Sequence, residues 1–451
     1  MTNKTDMTTP ICDFVKNYTE SSTLRLHMPG HKGTALLGFE ALDITEIEGA
    51  DVLYSANGII AESEKNAASL FGSGRTLYSA EGSSLSIRAM LYLALLWGRN
   101  SGKGNTVIAG RNAHRVFHSA AALLDLDIEW LRGECDTLTS CAITPKALDD
   151  ALTNTDKKPF AVYLTSPDYL GNILDVRALS EVAERHGILC LVDNAHGAYL
   201  NFLEKPSHPI ALGAHMCADS AHKTLPALTG AGYLHISKNA PSILFDEAES
   251  AMSLFASTSP SYLILQSLDA ANKYLSEGYA ETLQSFCRDI SLLKAELSAN
   301  GYAFIGAEPL KLTVDAKAYG YEGCELAALL SQKGIICEHS DKDAVTLMLT
   351  PQIDKAGLAR LADALLSIEK RSTLLTAAPR PTAKTAAMSA RDALMSARER
   401  IEAKESIGRI LADATVSCPP AIPIVACGEV IDENAIELFE YYGIDTVTVV
   451  K

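Results

Sequence analysis

"FAVYLTSPDYLGNILDVRALSEVAERHGILCLVD", residues Phe160 to Asp193, sets two short apolar runs on either side of an amphipathic one. The outer runs, FAVYLT (Phe160 to Thr165) and ILCLVD (Ile188 to Asp193), are continuously apolar rather than alternating. Strands buried on both faces of a parallel sheet have that pattern. Between them DVRALSEVAERHG, Asp175 to Gly187, repeats its apolar positions at three and four residues and closes on a glycine suited to a helix C-terminus. Strand, helix and strand at this spacing form a βαβ unit, which predicts an α/β domain with a large, doubly wound, mostly parallel sheet.

Working outward, NTVIAG (Asn105 to Gly110) and AGYLHI (Ala231 to Ile236) read as further continuous strands of the same sheet. The pattern divides the chain into an N-terminal arm over 1–60, a large domain over 61–290 and a smaller α/β domain over 291–375. The Ala-, Thr- and Pro-rich stretch 376–390 reads as a linker, and 391–451 as a C-terminal unit.

With 451 residues and 47% hydrophobic content, the chain can bury a substantial core. The most apolar stretch, MLYLALLW (Met90 to Trp97), stops far short of the roughly 20 residues that span a bilayer, and it predicts a buried helix. The first residues carry neither an apolar signal core nor an arginine-rich transit pattern, so a cytoplasmic protein without membrane attachment is expected. Ten scattered cysteines with no CxxC pair argue for reduced core thiols and against a disulfide framework or a metal site. A net charge of −16 disfavours nucleic acid as a partner.

In open α/β sheets ligands gather at the carboxyl ends of the strands. Asp193 ends ILCLVD and opens DNAHGAYL; alone it would equally fit a capping carboxylate. Lys223, with Ser220 and His222 in SAHK, precedes the strand AGYLHI; alone it would equally fit a solvated loop charge. Together they fit pyridoxal phosphate (PLP), which needs a lysine for its aldehyde, a carboxylate for its ring nitrogen and donors for its phosphate. The donors are Gly82, Ser83 and Ser84, which open the apolar helical run after EGSS, because a helix N-terminus favours phosphate. His114, just after NTVIAG, is a candidate to stack on the cofactor ring.

At this point the sequence resembles a known family, the fold-type I, PLP-dependent Orn/Lys/Arg decarboxylases, especially the short bacterial forms. The resemblance rests on ordered blocks: LHMPGHKG (Leu26 to Gly33), the stretch Asp43 to Gly72, EGSS, the His114 loop, DNAHGAYL, SAHKTLPALTG, STSPSYLILQSLD (Ser257 to Asp269), GIICEHSD (Gly334 to Asp341) and CPPAIPIVACGE (Cys418 to Glu429). It implies Lys223 as the Schiff-base lysine, Asp193 as the partner of the pyridine nitrogen and His222 as a further catalytic residue. It adds Ala195 on the ring face opposite His114, and His196, Ser83, Ser84, Ser220 and His222 around the phosphate and ring. Ser259 would reach the phosphate of a neighbouring subunit in a homodimer or higher assembly.

The activity implied is α-decarboxylation of a basic amino acid: arginine to agmatine first, with lysine and ornithine close behind. Glu338 is the candidate partner of the substrate's distal cation, and His31 a second substrate contact. Tyr199, Asn194, Gly230, Cys418 and Ala421 depart from the family pattern near where substrate is handled. The competing readings are an aminotransferase or aldolase of the same fold, and an inactive relative serving as a binding protein.

Overall fold

The computed structural model describes residues 7–133, 137–413 and 422–451; Cys418 and Ala421 lie outside the described residues. Seven strands form the main sheet: β1 (Arg75–Ser79), β2 (Thr106–Gly110), β3 (Asp127–Leu131), β4 (Ala161–Thr165), β5 (Leu189–Asp193), β6 (Met216–Asp219) and β7 (Gly232–Ile236). Their order is β1-β7-β6-β5-β4-β2-β3. The pairs β2/β3, β2/β4 and β5/β6 are parallel, whereas β7 runs antiparallel to both β6 and β1. AGYLHI is therefore a strand, as expected, but not a parallel one: a continuous apolar run reports burial on both faces and carries no information on direction.

The chain divides into two compact units, residues 1–102 with 183–282, and 103–182 with 283–451. In the first, helices α1 (Pro10–Glu20) and α2 (Ile59–Phe71) precede β1, and α3 (Gly82–Asn100) follows it. MLYLALLW lies within α3, where Leu85, Met90, Leu91 and Leu93 are fully buried. Each such side chain contributes about 1.5–3 kcal/mol through burial. The run stays helical because no Pro or Gly interrupts it before Gly98, and its long apolar side chains keep their rotamer freedom in a helix.

In the second unit, helix α4 (Arg115–Leu124) follows β2. The helix expected between β4 and β5 spans Val176–Arg185. A four-stranded antiparallel sheet follows: β8 (Phe304–Ile305), β9 (Lys311–Asp315), β10 (His339–Ser340) and β11 (Ala344–Met348), in the order β10-β11-β9-β8. The C-terminal residues pair β12 (Arg398–Glu402) with β13 (Thr446–Val450) over a small core that includes Leu411, Val425, Leu438 and Phe439. Among the described residues no helix is long and apolar enough to cross a membrane. The eight described cysteines are free thiols; most are buried or half-buried, but Cys324 is exposed rather than in the core.

Candidate active site

Two turns of the first unit, each at the carboxyl end of a strand, carry the main candidates. β5 ends at Asp193, which is 3% exposed, and its Oδ1 accepts from the Ala195 amide at 3.2 Å. The adjacent β6 ends at Asp219 and runs through Ser220 into a single helical turn, Ala221–Thr224, that carries His222 and Lys223. The turns meet where Lys223 Nζ lies 3.1 Å from His196 Nε2. Parallel pairing of β5 with β6 brings them side by side, since strands in that arrangement end on the same edge of the sheet.

The first turn of α3 supplies the third component. Ser220 Oγ donates to Ser83 Oγ at 2.8 Å, so the SAHK turn is tied to the helix N-terminus. Ser84 follows Ser83 in the same first turn, half-buried. The backbone is drawn in tightly here: Gly82 N–H donates to Gly230 O at 2.6 Å, and a Cβ on Gly232 would sit 2.8 Å from the Gly82 carbonyl carbon. His222 lies over Gly82, with Cε1 3.6 Å from where a Gly82 Cβ would be. Because the Ala231 carbonyl can only accept, His222 Nδ1 is the protonated nitrogen in the 2.8 Å contact between them. A buried carboxylate, a lysine amine beside an imidazole, and hydroxyls at a helix N-terminus are the donor set PLP requires, so these residues fit that group.

The remaining candidates lie elsewhere. Ser259 is exposed, on a loop held to the EGSS turn where Glu81 accepts from the Ser257 amide at 2.7 Å. His31 belongs to the N-terminal arm, where Nδ1 accepts from Gly33 N–H and Nε2 meets Asp43 Oδ2 at 3.2 Å. In the second unit, His114 caps α4, its Nδ1 accepting from Val116 N–H at 3.3 Å. Glu338, also there, is exposed and accepts from the Tyr169 hydroxyl at 3.3 Å. Tyr169 follows β4 and was not singled out from the sequence, although a tyrosine just past the carboxyl end of a parallel strand stands where ligands gather. Its hydroxyl is pushed well above the usual phenol range by burial and by the Glu338 charge.

Sequence reading also missed a group beneath the two turns. Asp219 is fully buried, and its Oδ1 accepts from Asn194 Nδ2 at 2.7 Å while its Oδ2 lies 2.9 Å from His208 Nε2 and 3.4 Å from His235 Nε2. Burial alone would raise this carboxyl, but His208, and then His235, beside it hold it well below the usual carboxylate range. Cys217 joins the group with its thiol pushed well up by burial and by Asp219. His208, Cys217 and Asp219 present one ligand atom each within 4.8 Å of one another, here engaged in mutual hydrogen bonds.

Comparison with known proteins adds a separate line. Residues 9–305 match the family model for the major domain of Orn/Lys/Arg decarboxylases. The chain belongs to the Orn/Lys/Arg decarboxylase family. Arginine decarboxylase of Halalkalibacterium halodurans is 30% identical, with 94% of this chain and 91% of that protein covered. Arginine decarboxylase of Bacillus subtilis is 29% identical, with 95% and 92% covered. The solved Escherichia coli constitutive lysine decarboxylase shares the fold, with a TM-score of 0.78 at 16% identity over 98% of this chain and 82% of that one. As a member of the family the protein is a PLP-dependent decarboxylase of basic amino acids. The family and its structural neighbours are PLP enzymes of fold type I.

Proposed function

We propose that this decarboxylase acts on arginine, releasing CO2 and agmatine, with PLP held on Lys223 in a homodimer or higher assembly. The observation that carries the cofactor assignment is the convergence of Asp193, His196 and Lys223 with the Ser83–Ser220 hydroxyl pair in one part of the fold. Support for arginine comes from relatives named arginine decarboxylase that match nearly the whole chain at 28–30% identity, against 16–17% for the solved lysine decarboxylases.

When bound, PLP supplies the electron sink for the pair left as the bond from Cα to carboxylate breaks. Asp193 would hold the proton on its ring nitrogen, and its near-complete burial strengthens that pairing. Ser83, Ser84 and Ser220, with the first amides of α3, would bind the phosphate, and Ser259 would do so from a neighbouring subunit. His114 and Ala195 would flank the ring. Lys223 would return a proton to Cα, and His196, 3.1 Å from its Nζ, would orient that amine. His222, whose Nδ1 donates to Ala231 O, would be the alternative donor of that proton through Nε2. Glu338 would pair with the distal cation, aided by Tyr169, and His31 would line the substrate path.

The test is to incubate the purified protein, supplied with PLP, with arginine, lysine and ornithine separately and measure CO2 and amine. Agmatine with stoichiometric CO2 is expected. Ketoacid without CO2 would make the protein an aminotransferase, and no turnover of any of the three would remove the assignment.

A further inference from the structure

Asp219 sits where the Asp193 turn and the Lys223 turn both originate. One bond along the chain lies Ser220, whose carbonyl accepts from Lys223 N–H at 3.1 Å and whose hydroxyl reaches Ser83. Across the strand pair lies Asn194, the residue after Asp193, tied to β6 twice: its N–H donates to Ala218 O at 3.0 Å and its side chain donates to Asp219 at 2.7 Å. The pyridine-nitrogen candidate and the lysine are thus joined through one carboxylate in the floor of the site.

The protonation pattern makes that carboxylate hard to replace. His208 Nδ1 accepts from Ile210 N–H, so its Nε2 carries the proton and donates to Asp219 Oδ2. The Asn194 amide donates to Oδ1. Two donors therefore converge on two separate oxygens, an arrangement a carboxylate satisfies and an amide, with one oxygen and one NH2, does not. In a fully buried group the misplaced donor is costly, and the surrounding turn must shift to relieve it.

We propose that Asp219 is a positioning residue that fixes the Asp193 turn and the Lys223 turn at their working separation by bridging Asn194 and His208. This rests on the PLP reading above, and extends it to a buried residue beneath the two turns. Displacement of reacting groups by about 1 Å costs on the order of 100-fold in rate. The geometry also specifies a rescue: with Asn194→Asp and Asp219→Asn together, residue 219 donates its NH2 to residue 194 and accepts from His208 through its oxygen, so the 194–219 bond is restored with donor and acceptor exchanged and the His208 bond is kept.

Asp219→Asn, Asn194→Ala and the exchanged double variant are compared with the wild-type holoenzyme by PLP affinity from absorbance titration, by kcat and KM for the decarboxylated amino acid, and by Tm without cofactor. Each single variant is expected to bind PLP at least tenfold more weakly and to lose at least tenfold in kcat, with KM within about threefold. The double variant should recover at least tenfold of the loss in the worse single variant. Wild-type affinity and kcat in both single variants, a fall in Tm with function intact, or no recovery in the double variant would overturn the proposal. If Asp219→Asn fails to fold, Asn194→Ala and the double variant decide alone. Failure of the wild type to bind PLP would instead refute the functional reading, which keeps the two outcomes apart.

Discussion

Replacing Gly230 by glutamine is expected to destabilise this protein. Gly230 has φ of 97°, in the region L side chains rarely adopt, and placing a side chain there costs roughly 1–2 kcal/mol of backbone strain. The new Cβ would stand 3.0 Å from Ile264 Cδ1 and 3.1 Å from the Ala80 carbonyl oxygen. The isoleucine tip can yield; the backbone carbonyl beside EGSS cannot yield without moving the turn. Strain and crowding together amount to about 2–3 kcal/mol. Gly230→Ala, which adds only the Cβ, should account for most of that loss. The carbonyl of the same residue accepts from Gly82 N–H at 2.6 Å, so any rotation of the peptide also loosens the start of α3 and should weaken PLP binding severalfold. Denaturant unfolding of wild type, Gly230→Ala and Gly230→Gln, followed by PLP titration, reads both effects. Loss of under about 0.5 kcal/mol in both variants would refute the reasoning.

Three further outcomes follow from other parts of the molecule. Burial pushes the Glu64 carboxyl up to about 8, opposed by the hydrogen bond from Tyr78 N–H. Its folded value thus lies above the unfolded one, so stability is full below about 4.5 and declines as pH rises from there through 8. Glu64→Gln keeps an acceptor for Tyr78, and should flatten that decline by up to a few kcal/mol in unfolding measured from pH 5 to pH 9. Arg111 is buried with Glu429 at 3.2 Å and donates to the Pro423 and Ile424 carbonyls. Arg111→Met should cost about 3–5 kcal/mol in denaturant unfolding, and Arg111→Met with Glu429→Leu markedly less, because the second change removes the stranded charge. Under the proposed role of Glu338, Glu338→Gln should raise KM for arginine about tenfold or more with a smaller change in kcat, and Tyr169→Phe should do the same more weakly; unchanged KM in steady-state assays would take Glu338 out of the substrate site.

Much of this architecture was legible in the sequence, for identifiable reasons. β2, β4, β5 and β7 are fully or almost fully buried and announce themselves as continuous apolar runs, found to within one residue at their starts. β3 escaped notice because DIEWL is half-exposed and carries two acids. β6 escaped because MCAD is only four residues long and ends in a charge. That omission hid the most consequential group: with β6 unrecognised, nothing marked Asp219, and nothing local connects it to Asn194, 25 residues earlier, or to His208, 11 residues earlier. Such pairings are set by strand order, which the periodicity of a single segment does not encode. Lys223 and Asp193 were singled out by chemistry and motif; the contact of His196 with Lys223 required the parallel pairing of β5 with β6.

The most direct test of the central claim is to locate the cofactor covalently. The purified protein, loaded with PLP, is reduced with borohydride, digested and sequenced by mass spectrometry. The pyridoxyl group is expected on Lys223 alone, with none trapped in Lys223→Ala and CO2 release from arginine lower there by orders of magnitude. A pyridoxyl group on another lysine, or full decarboxylation by Lys223→Ala, would contradict it.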